Sequence, residues 1–556
     1  MRKYYLISLL VILASSAFCA EPLILDLLFT NDIHGGIDAY DATFMNPEFP
    51  PRLGGGGSAA RYIKDVRSLS DGKSRNNLLM DMGDFFQGHP VGTMSDGASV
   101  IQYFNMVKYD FSIIGNHEYD IGEERLKKTY SLANFPILSC NVLDKRTGKL
   151  VDYATPYIIK EMMGVKVAII GLTTTDTKLM SFPENIKNVE FLPAADQLRK
   201  YIKIVKEEEK ADLVIVAGHM GLPYEPQSAY DRRYGEGATP IEDRKWGYDC
   251  QEIIHEVEGI DVFFGGHMHK GFPFAWEDPI THTLAFQSYA YGSSIGHIKL
   301  LIDPETKTMV GYEPPSVSER DGVLVTLFED RFIPVPAIAD TILKMQEIAE
   351  EGMDIVIGTS DMYISKTGNG PQNLIGNLVC EAMREFDNAD FAFLNLGGIR
   401  GEINRGSVTY RDVFNVMPFD NQIVTIEVDG NFLKEIIEMR VSGSRAGLRT
   451  SGIKVVVNRT RADYDRISEL YIGGEPWQAD KLYRVTTTDF LLQGNAGLTM
   501  LTKVGSEQIT RYEKELRDAI VDYIKTNSPV SAKIDDRWKR NDKSTKSEEL
   551  LKELNK

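Results

Sequence analysis

Cysteine is scarce, with four in 556 residues. One of them, Cys19, lies in the N-terminal leader. Cys140, Cys250 and Cys380 remain, an odd number with no CxxC spacing. That excludes a complete disulfide framework and a thiolate-held metal, and Cys380 reads as a core residue of a helix. Long apolar runs are also missing, apart from Tyr4 to about Leu13, which is too short for a stable membrane span. Arg2 and Lys3 precede it and Ala14, Ser15, Ser16 and Ala17 follow, the pattern of a secretory signal cleaved after Cys19 or Ala20. Phe18 makes Cys19 a poor lipidation site. The expectation is a periplasmic or extracellular protein with no membrane span after processing. Positive charge is short too: 62 Lys and Arg stand against 80 Asp and Glu, a net charge of −18. Such a field repels a nucleic-acid polymer. A small anion still binds where local cations and metals override it.

What is present is ordinary globular composition, 43% hydrophobic and 26% charged, in a chain too long for one core. Short apolar runs at Leu23–Phe29, Asn77–Met82, Phe111–Ile114, Val165–Ile170, Leu213–Ala217 and Val262–Phe264 alternate with helical or polar stretches. They predict buried strands of an α/β sheet. Pro334 and Pro336 then punctuate the chain before Ile338, Ile342, Met345 and Ala349, one face of a connecting helix. A second α/β pattern follows, with a helix over 374–386 and a strand over 391–394. The divisions are a signal at 1–20, a first domain at 21–330, a linker helix at 331–353, a second domain at 354–537 and a charged tail at 538–556.

Ligand-type residues end the strands of the first half. Asp32 and His34 lie two apart, so both face one side of an extended chain. Asp84 follows Gly83, Asn116 and His117 follow Gly115, His219 follows Gly218, and His267 and His269 follow Gly265 and Gly266. Strand ends of an α/β sheet converge on one crevice, and the glycines let backbone approach closely. Imidazole, carboxylate and amide oxygen suit Zn, Mn, Fe or Co rather than Ca. Any one of these residues alone is more simply a turn or a hydrogen-bonded structural group; five motifs in order are not.

The order and wording of these motifs resemble the calcineurin-like metallophosphoesterases, and the second half extends the likeness to the 5′-nucleotidase branch. There the matching segments are Asn395-Leu396-Gly397-Gly398-Ile399-Arg400, Pro418-Phe419-Asp420, Thr488-Asp489-Phe490-Leu491 and Gly376-Asn377-Leu378. The resemblance implies a four-layer αββα first domain and a smaller α/β substrate-binding domain. It implies two divalent ions: Asp32, His34 and His269 on one, Asn116, His219 and His267 on the other, with Asp84 between them. His269 stands where this branch often has Gln. Such ions, roughly 3.5–4 Å apart, lower the pKa of a shared water and offset phosphoryl charge. The resemblance makes His117 the group that protonates the leaving oxygen and Asp120 its partner; a turn cap is the plainer reading of Asp120. Phe419 and Phe490 match rings that sandwich a base, while Asn395, Gly397, Gly398 and Arg400 match nucleotide contacts.

Two departures stand out. Gly494-Asn495-Ala496-Gly497 puts Ala496 where the family usually has an Asp for sugar hydroxyls. Asn369 stands where it tends to have Arg. A polar stretch between His219 and Cys250, with Tyr224, Tyr230, Arg232, Arg233 and Tyr234, suits either a lid or a surface loop. Arg61 reads as an ion-pair partner, and His89 has no assigned role. The implied activity is hydrolysis of a nucleoside monophosphate or nucleotide sugar. The alternatives are a 2′,3′-cyclic phosphodiesterase with 3′-nucleotidase activity, a sulfur-compound hydrolase of the same architecture, and a non-enzymatic binder.

Overall fold

The apolar runs become strands because both of their faces are covered. In the computed structural model, which describes residues 21–46, 48–235, 248–315, 321–368, 370–442 and 447–541, Leu23–Thr30 is central in the first sheet. It pairs parallel with Arg75–Asp81 and antiparallel with Ser294–Ile302. Phe111–Ile113 and Ile137–Leu138 extend that sheet on one side, Met309–Glu313 on the other. A second sheet runs Trp276–Glu277, Leu284–Phe286, Val262–Phe264, Leu213–Gly218, Val165–Leu172 and Tyr157–Met162 in spatial order.

Side-chain alternation along each strand builds the layers. Leu25, Leu27 and Phe29 pack with Val165, Val167 and Ile169 in one core between the sheets. Leu28 turns the other way, onto helices Gly55–Arg67 and Ala98–Val107. Ala168, Ile170 and Leu172 likewise face helices Ala194–Glu207 and Cys250–Glu256. The first half is therefore a four-layer αββα sandwich, as the family resemblance implies.

Helix Pro336–Ala349 leads to the second half, whose five-stranded sheet runs Leu448–Ser451, Phe391–Asn395, Leu482–Thr488, Gln422–Asp429 and Ile509–Glu515. Helix Leu374–Phe386 packs on it, started by Asn373, whose side chain accepts from Gly376 N. Ordered structure passes the domain end expected at 537: Trp538–Arg540 pairs parallel with Ile453–Val457. Residues 1–20, where the signal is expected, and 542–556 of the tail lie outside the described residues, as does Asn369. Cys140, Cys250 and Cys380 are free and buried, Cys380 within the second core. Among the described residues no helix is long and apolar enough to cross a membrane.

Candidate active site

Each ligand-type residue sits where a strand stops and the backbone turns sharply. Asp32, His34, Asp84, His267 and His269 all have positive φ, between 48° and 73°. A non-glycine residue rarely adopts that conformation, and such strain collects at functional sites. Two groups form. Asp32, His34 and His269 offer atoms within 4.8 Å of one another, and so do Asp84, His219 and His267. Asp84 Oδ2 joins them, 2.9 Å from His219 Nε2 and 4.0 Å from His34 Nε2. The Asn116 side-chain oxygen stands 3.2 Å from His219 Nε2, 3.3 Å from Asp84 Oδ2 and 2.9 Å from His267 Nδ1.

The residues fit divalent ions on the chemistry of these atoms. His34 Nδ1 bonds the Gln87 carbonyl at 2.9 Å and His219 Nδ1 the Met82 carbonyl at 2.7 Å. A carbonyl only accepts, so each Nδ1 carries the hydrogen and each Nε2 points inward, offering a lone pair whenever the imidazole is neutral. His34 Nε2 then faces His269 Nε2 at 3.0 Å. Around Asn116, an amide oxygen, a carboxylate and two imidazoles point at one another. Such a set is satisfied by a cation that takes a lone pair from each or, with none bound, by the Asn116 amide turned so that its NH2 donates to His219, Asp84 and His267. The protonation balance shows the same tension. Burial lifts the Asp32 carboxyl to about 6 despite nearby His219. Burial works against charge on His219, yet Asp84 outweighs it and raises that imidazole to about 10. Burial and His219 press His267 down to about 3.

Glu118 holds the loops in register. Its carboxylate accepts from Gly115 N at 2.6 Å, Phe85 N at 2.9 Å and Asp84 N at 3.2 Å. His117 N donates to Asp84 Oδ1 at 2.8 Å, and His117 Nδ1 meets Asp120 Oδ2 at 2.5 Å. Asp120 is thus a partner of the imidazole, and burial, opposed by His117, raises its carboxyl.

The second half reaches this crevice directly. Arg400 Nη2 donates to His117 Nε2 at 2.9 Å. The Arg400 guanidinium lies 5.2 Å from the Phe419 ring centre, and Phe419 stacks on His117 at 5.7 Å. Phe490 meets Phe182 of the first half edge-on at 5.7 Å. The buried Asn395 Oδ1 and Arg400 Nε have no hydrogen-bond partner. Gly397 is exposed and Gly398 buried, in the short turn Leu396–Gly398 after Asn395.

Two family models match the chain: calcineurin-like phosphoesterase over residues 25–271, and the 5′-nucleotidase C-terminal domain over residues 356–503. The chain belongs to the 5′-nucleotidase family. A 5′-nucleotidase of Vibrio cholerae is 28% identical over 537 residues, covering 91% of each chain. The 5′-nucleotidase precursor of Thermus thermophilus superposes with a TM-score of 0.79 at 22% identity, over 94% of this chain and all of that one. The Thermus sulfate thiohydrolase SoxB shares the fold, with a TM-score of 0.75 at 15% identity over 94% of this chain and 97% of that one. As a member of this family the chain is a metal-dependent phosphoester hydrolase.

For this family member the structure also locates what sequence left open. Arg61 pairs with Asp65 at 3.0 Å on an exposed helix face. His89 Nδ1 meets Asp38 Oδ1 at 3.0 Å. Asn495 Nδ2 donates to the Phe490 carbonyl at 3.0 Å. In the polar stretch after His219, Pro226–Tyr234 is helical and Arg233 bonds Asp249, while 236–247 lie outside the described residues. Sequence reasoning gave no role to Glu118, which does not stand out without its partners in space.

Proposed function

We propose that this chain is an exported nucleotide phosphohydrolase that frees phosphate from nucleoside 5′-monophosphates or splits nucleotide sugars at their pyrophosphate. The observation that carries this reading is the meeting of Arg400 and Phe419 with His117 beside both ligand clusters. In it Asp32, His34 and His269 hold one divalent ion, Asn116, His219 and His267 the other, and Asp84 both. When bound, such ions acidify a water and draw charge from the phosphoryl oxygens. The chain's own groups do the rest. Arg400 presents a planar fork of donors to the phosphoryl oxygens. Asp120 orients His117 through Nδ1, so that Nε2, once Arg400 turns from it to the phosphoryl oxygens and the ring is protonated, is the atom that hands a proton to the leaving oxygen. Phe419 and Phe490 offer flat faces to a base, and Asn395 Oδ1 an acceptor. The apolar leader at the N-terminus supports export.

A second reading, a 2′,3′-cyclic phosphodiesterase with 3′-nucleotidase activity, is favoured by the loop at Ala496. Its methyl group accepts no hydrogen bond from a sugar hydroxyl. The test is hydrolysis by the Mn²⁺- or Zn²⁺-loaded protein of AMP, 3′-AMP, 2′,3′-cyclic AMP, a nucleotide sugar and an aryl phosphate. Preference for AMP or the nucleotide sugar supports the first reading, and preference for 3′-AMP or the cyclic ester the second. Aryl phosphate cleavage with no nucleotide preference removes both.

A further inference from the structure

We propose that Arg517 and Asp489 are the positioning residues of the base clamp: they pin the turn that carries Phe419 from two sides and so fix where its ring stands relative to Phe490. The proposal rests on the nucleotidase reading for the base that the two rings receive.

Phe419 lies between helix Tyr410–Val416 and strand Gln422–Asp429, outside both elements. A ring on such a turn keeps its place only if the turn is held. Arg517 holds it from one side. Its Nη1 donates to the Met417 carbonyl at 3.2 Å and its Nη2 to Asp420 Oδ1 at 2.8 Å, so its fork brackets Phe419. Its Nε donates to the Tyr410 hydroxyl at 3.2 Å, and Nη2 also to Glu515 Oε2 at 2.6 Å. The guanidinium lies 4.7 Å from the Phe414 ring centre, which fixes the plane of the fork. Beside it Leu516 N donates to the Asn421 carbonyl at 2.9 Å.

Asp489 holds the other side. Its Oδ1 accepts from Gln422 N at 3.0 Å and from Phe490 N at 2.8 Å. One oxygen thus joins the end of the Phe419 turn to the residue that carries the second ring. Strand pairing continues the tie, with Ile423 opposite Thr488.

The helix that carries Arg517 gives no reason for it. Arg517 is 5% exposed and stands in the first turn of helix Leu516–Asn527. An arginine is seldom buried so fully without partners, and a cation in the first turn opposes the helix dipole. Two of its partners, Met417 and Asp420, lie in the Phe419 turn, and two more, Tyr410 and Phe414, lie in the helix that leads into it. A base gains from two ring faces only when the gap between them matches its thickness, because dispersion contacts fade within an ångström. Both rings are half-buried and their own packing leaves them room to drift, so the backbone that carries them must set the gap.

The experiment uses the full chain loaded with Mn²⁺ and compares Arg517→Lys, Asp489→Ala and Asp489→Asn with the unaltered protein. AMP and ribose 5-phosphate share phosphate and sugar and differ by the base. Steady-state kinetics gives kcat and KM for each, and calorimetric titration with adenosine reads the clamp without turnover. Arg517→Lys keeps the charge and loses the fork. It and Asp489→Ala are expected to raise the KM for AMP and the adenosine Kd about tenfold, with kcat changing far less. The preference for AMP over ribose 5-phosphate in kcat/KM then shrinks by a similar factor. Asp489→Asn, whose amide oxygen still accepts both N–H groups, restores most of it. An unchanged AMP preference and adenosine Kd in Arg517→Lys and Asp489→Ala overturn the proposal. So does an equal loss on AMP and ribose 5-phosphate with a fall in Tm, since that describes structural residues. If Arg517→Lys does not fold, the two Asp489 variants carry the same decision. Failure of the nucleotidase reading shows separately, in the unaltered protein: no preference for AMP and no adenosine binding there remove that reading and the proposal with it.

Discussion

His117 stands at the junction of three demands. Its ring bonds Asp120 at Nδ1, meets Arg400 at Nε2 and supports Phe419 on its face. Its backbone N–H meanwhile supports Asp84. His117→Ala keeps that N–H and removes the ring. The expected outcome is a kcat lowered by about 10²–10⁴-fold with metal content unchanged, read by steady-state kinetics and elemental analysis of the same sample. Near-normal turnover would take His117 out of the mechanism. At this scale the ligand set was legible because its members end apolar runs, most of them beside a glycine. Groups whose meaning lies in contact with distant positions were not. Glu118 was invisible as a support for the same reason: two of the N–H groups it accepts come from Asp84 and Phe85, 34 and 33 residues back.

Strand ends, rather than whole strands, carry the site, and their tolerances are small. A Cβ on Gly115 would stand 2.3 Å from Asp84 Oδ1 and 2.7 Å from Glu118 Oε2. Neither oxygen can retreat without breaking a bond already described. Gly115→Ala is therefore expected to displace the carboxylate shared by the two clusters. It should lower the metal retained after dialysis and reduce activity at least tenfold, an order-of-magnitude expectation for a ligand moved by a fraction of an ångström. Full metal retention would show that the loop relaxes elsewhere. Most elements were readable because burial on both faces writes continuous apolar runs: Val262–Phe264 and Leu374–Phe386 coincide with their expected limits. Trp538–Arg540 escaped notice because two of its three residues are basic. It is held by pairing to Ile453–Val457 and by Trp538 Nε1 donating to Thr450 Oγ1 at 3.0 Å.

Two properties belong to the molecule as a whole. The first is acid sensitivity. A buried chain joins Tyr62, His297, Asp26 and Arg75: the Tyr62 hydroxyl meets His297 Nδ1 at 2.7 Å, His297 Nε2 meets Asp26 at 2.9 Å, and Arg75 Nε donates to Asp26 at 2.6 Å. Burial holds His297 below its ordinary value, with Asp26 opposing. The unfolded chain then binds the extra proton first, so stability falls as pH drops below about 6.5. Burial would raise Asp26, but His297 and Arg75 outweigh it and hold the carboxyl down, so its contribution is lost only below about pH 4. In metal-loaded protein, Tm should decline from pH 7.5 to 5, and His297→Gln should lower Tm at pH 7.5 while flattening that decline. An equally steep decline in the variant would place the sensitivity elsewhere.

The second whole-molecule property is closure. The metal-ligand residues and the substrate residues that the family resemblance implies lie in different halves, so catalysis needs the halves to come together at the site. Here they already meet, with Arg400 on His117 and Phe490 on Phe182. A substrate that takes the place between Phe419 and His117 must part rings stacked at 5.7 Å, so entry and release require the halves to separate. The chain between them turns at Gly352, three residues past helix Pro336–Ala349, with φ of +80° and nothing within 4 Å of where a Cβ would stand. A side chain there clashes with nothing and acts through the backbone alone. Gly352→Val disfavours the left-handed turn by about 1–2 kcal/mol. If this turn is the hinge, kcat and KM should change together, and small-angle scattering should show an altered mean separation of the halves. If Tm falls while kcat, KM and scattering stay as they were, the turn is a connector, and opening must be sought where Phe182 meets Phe490.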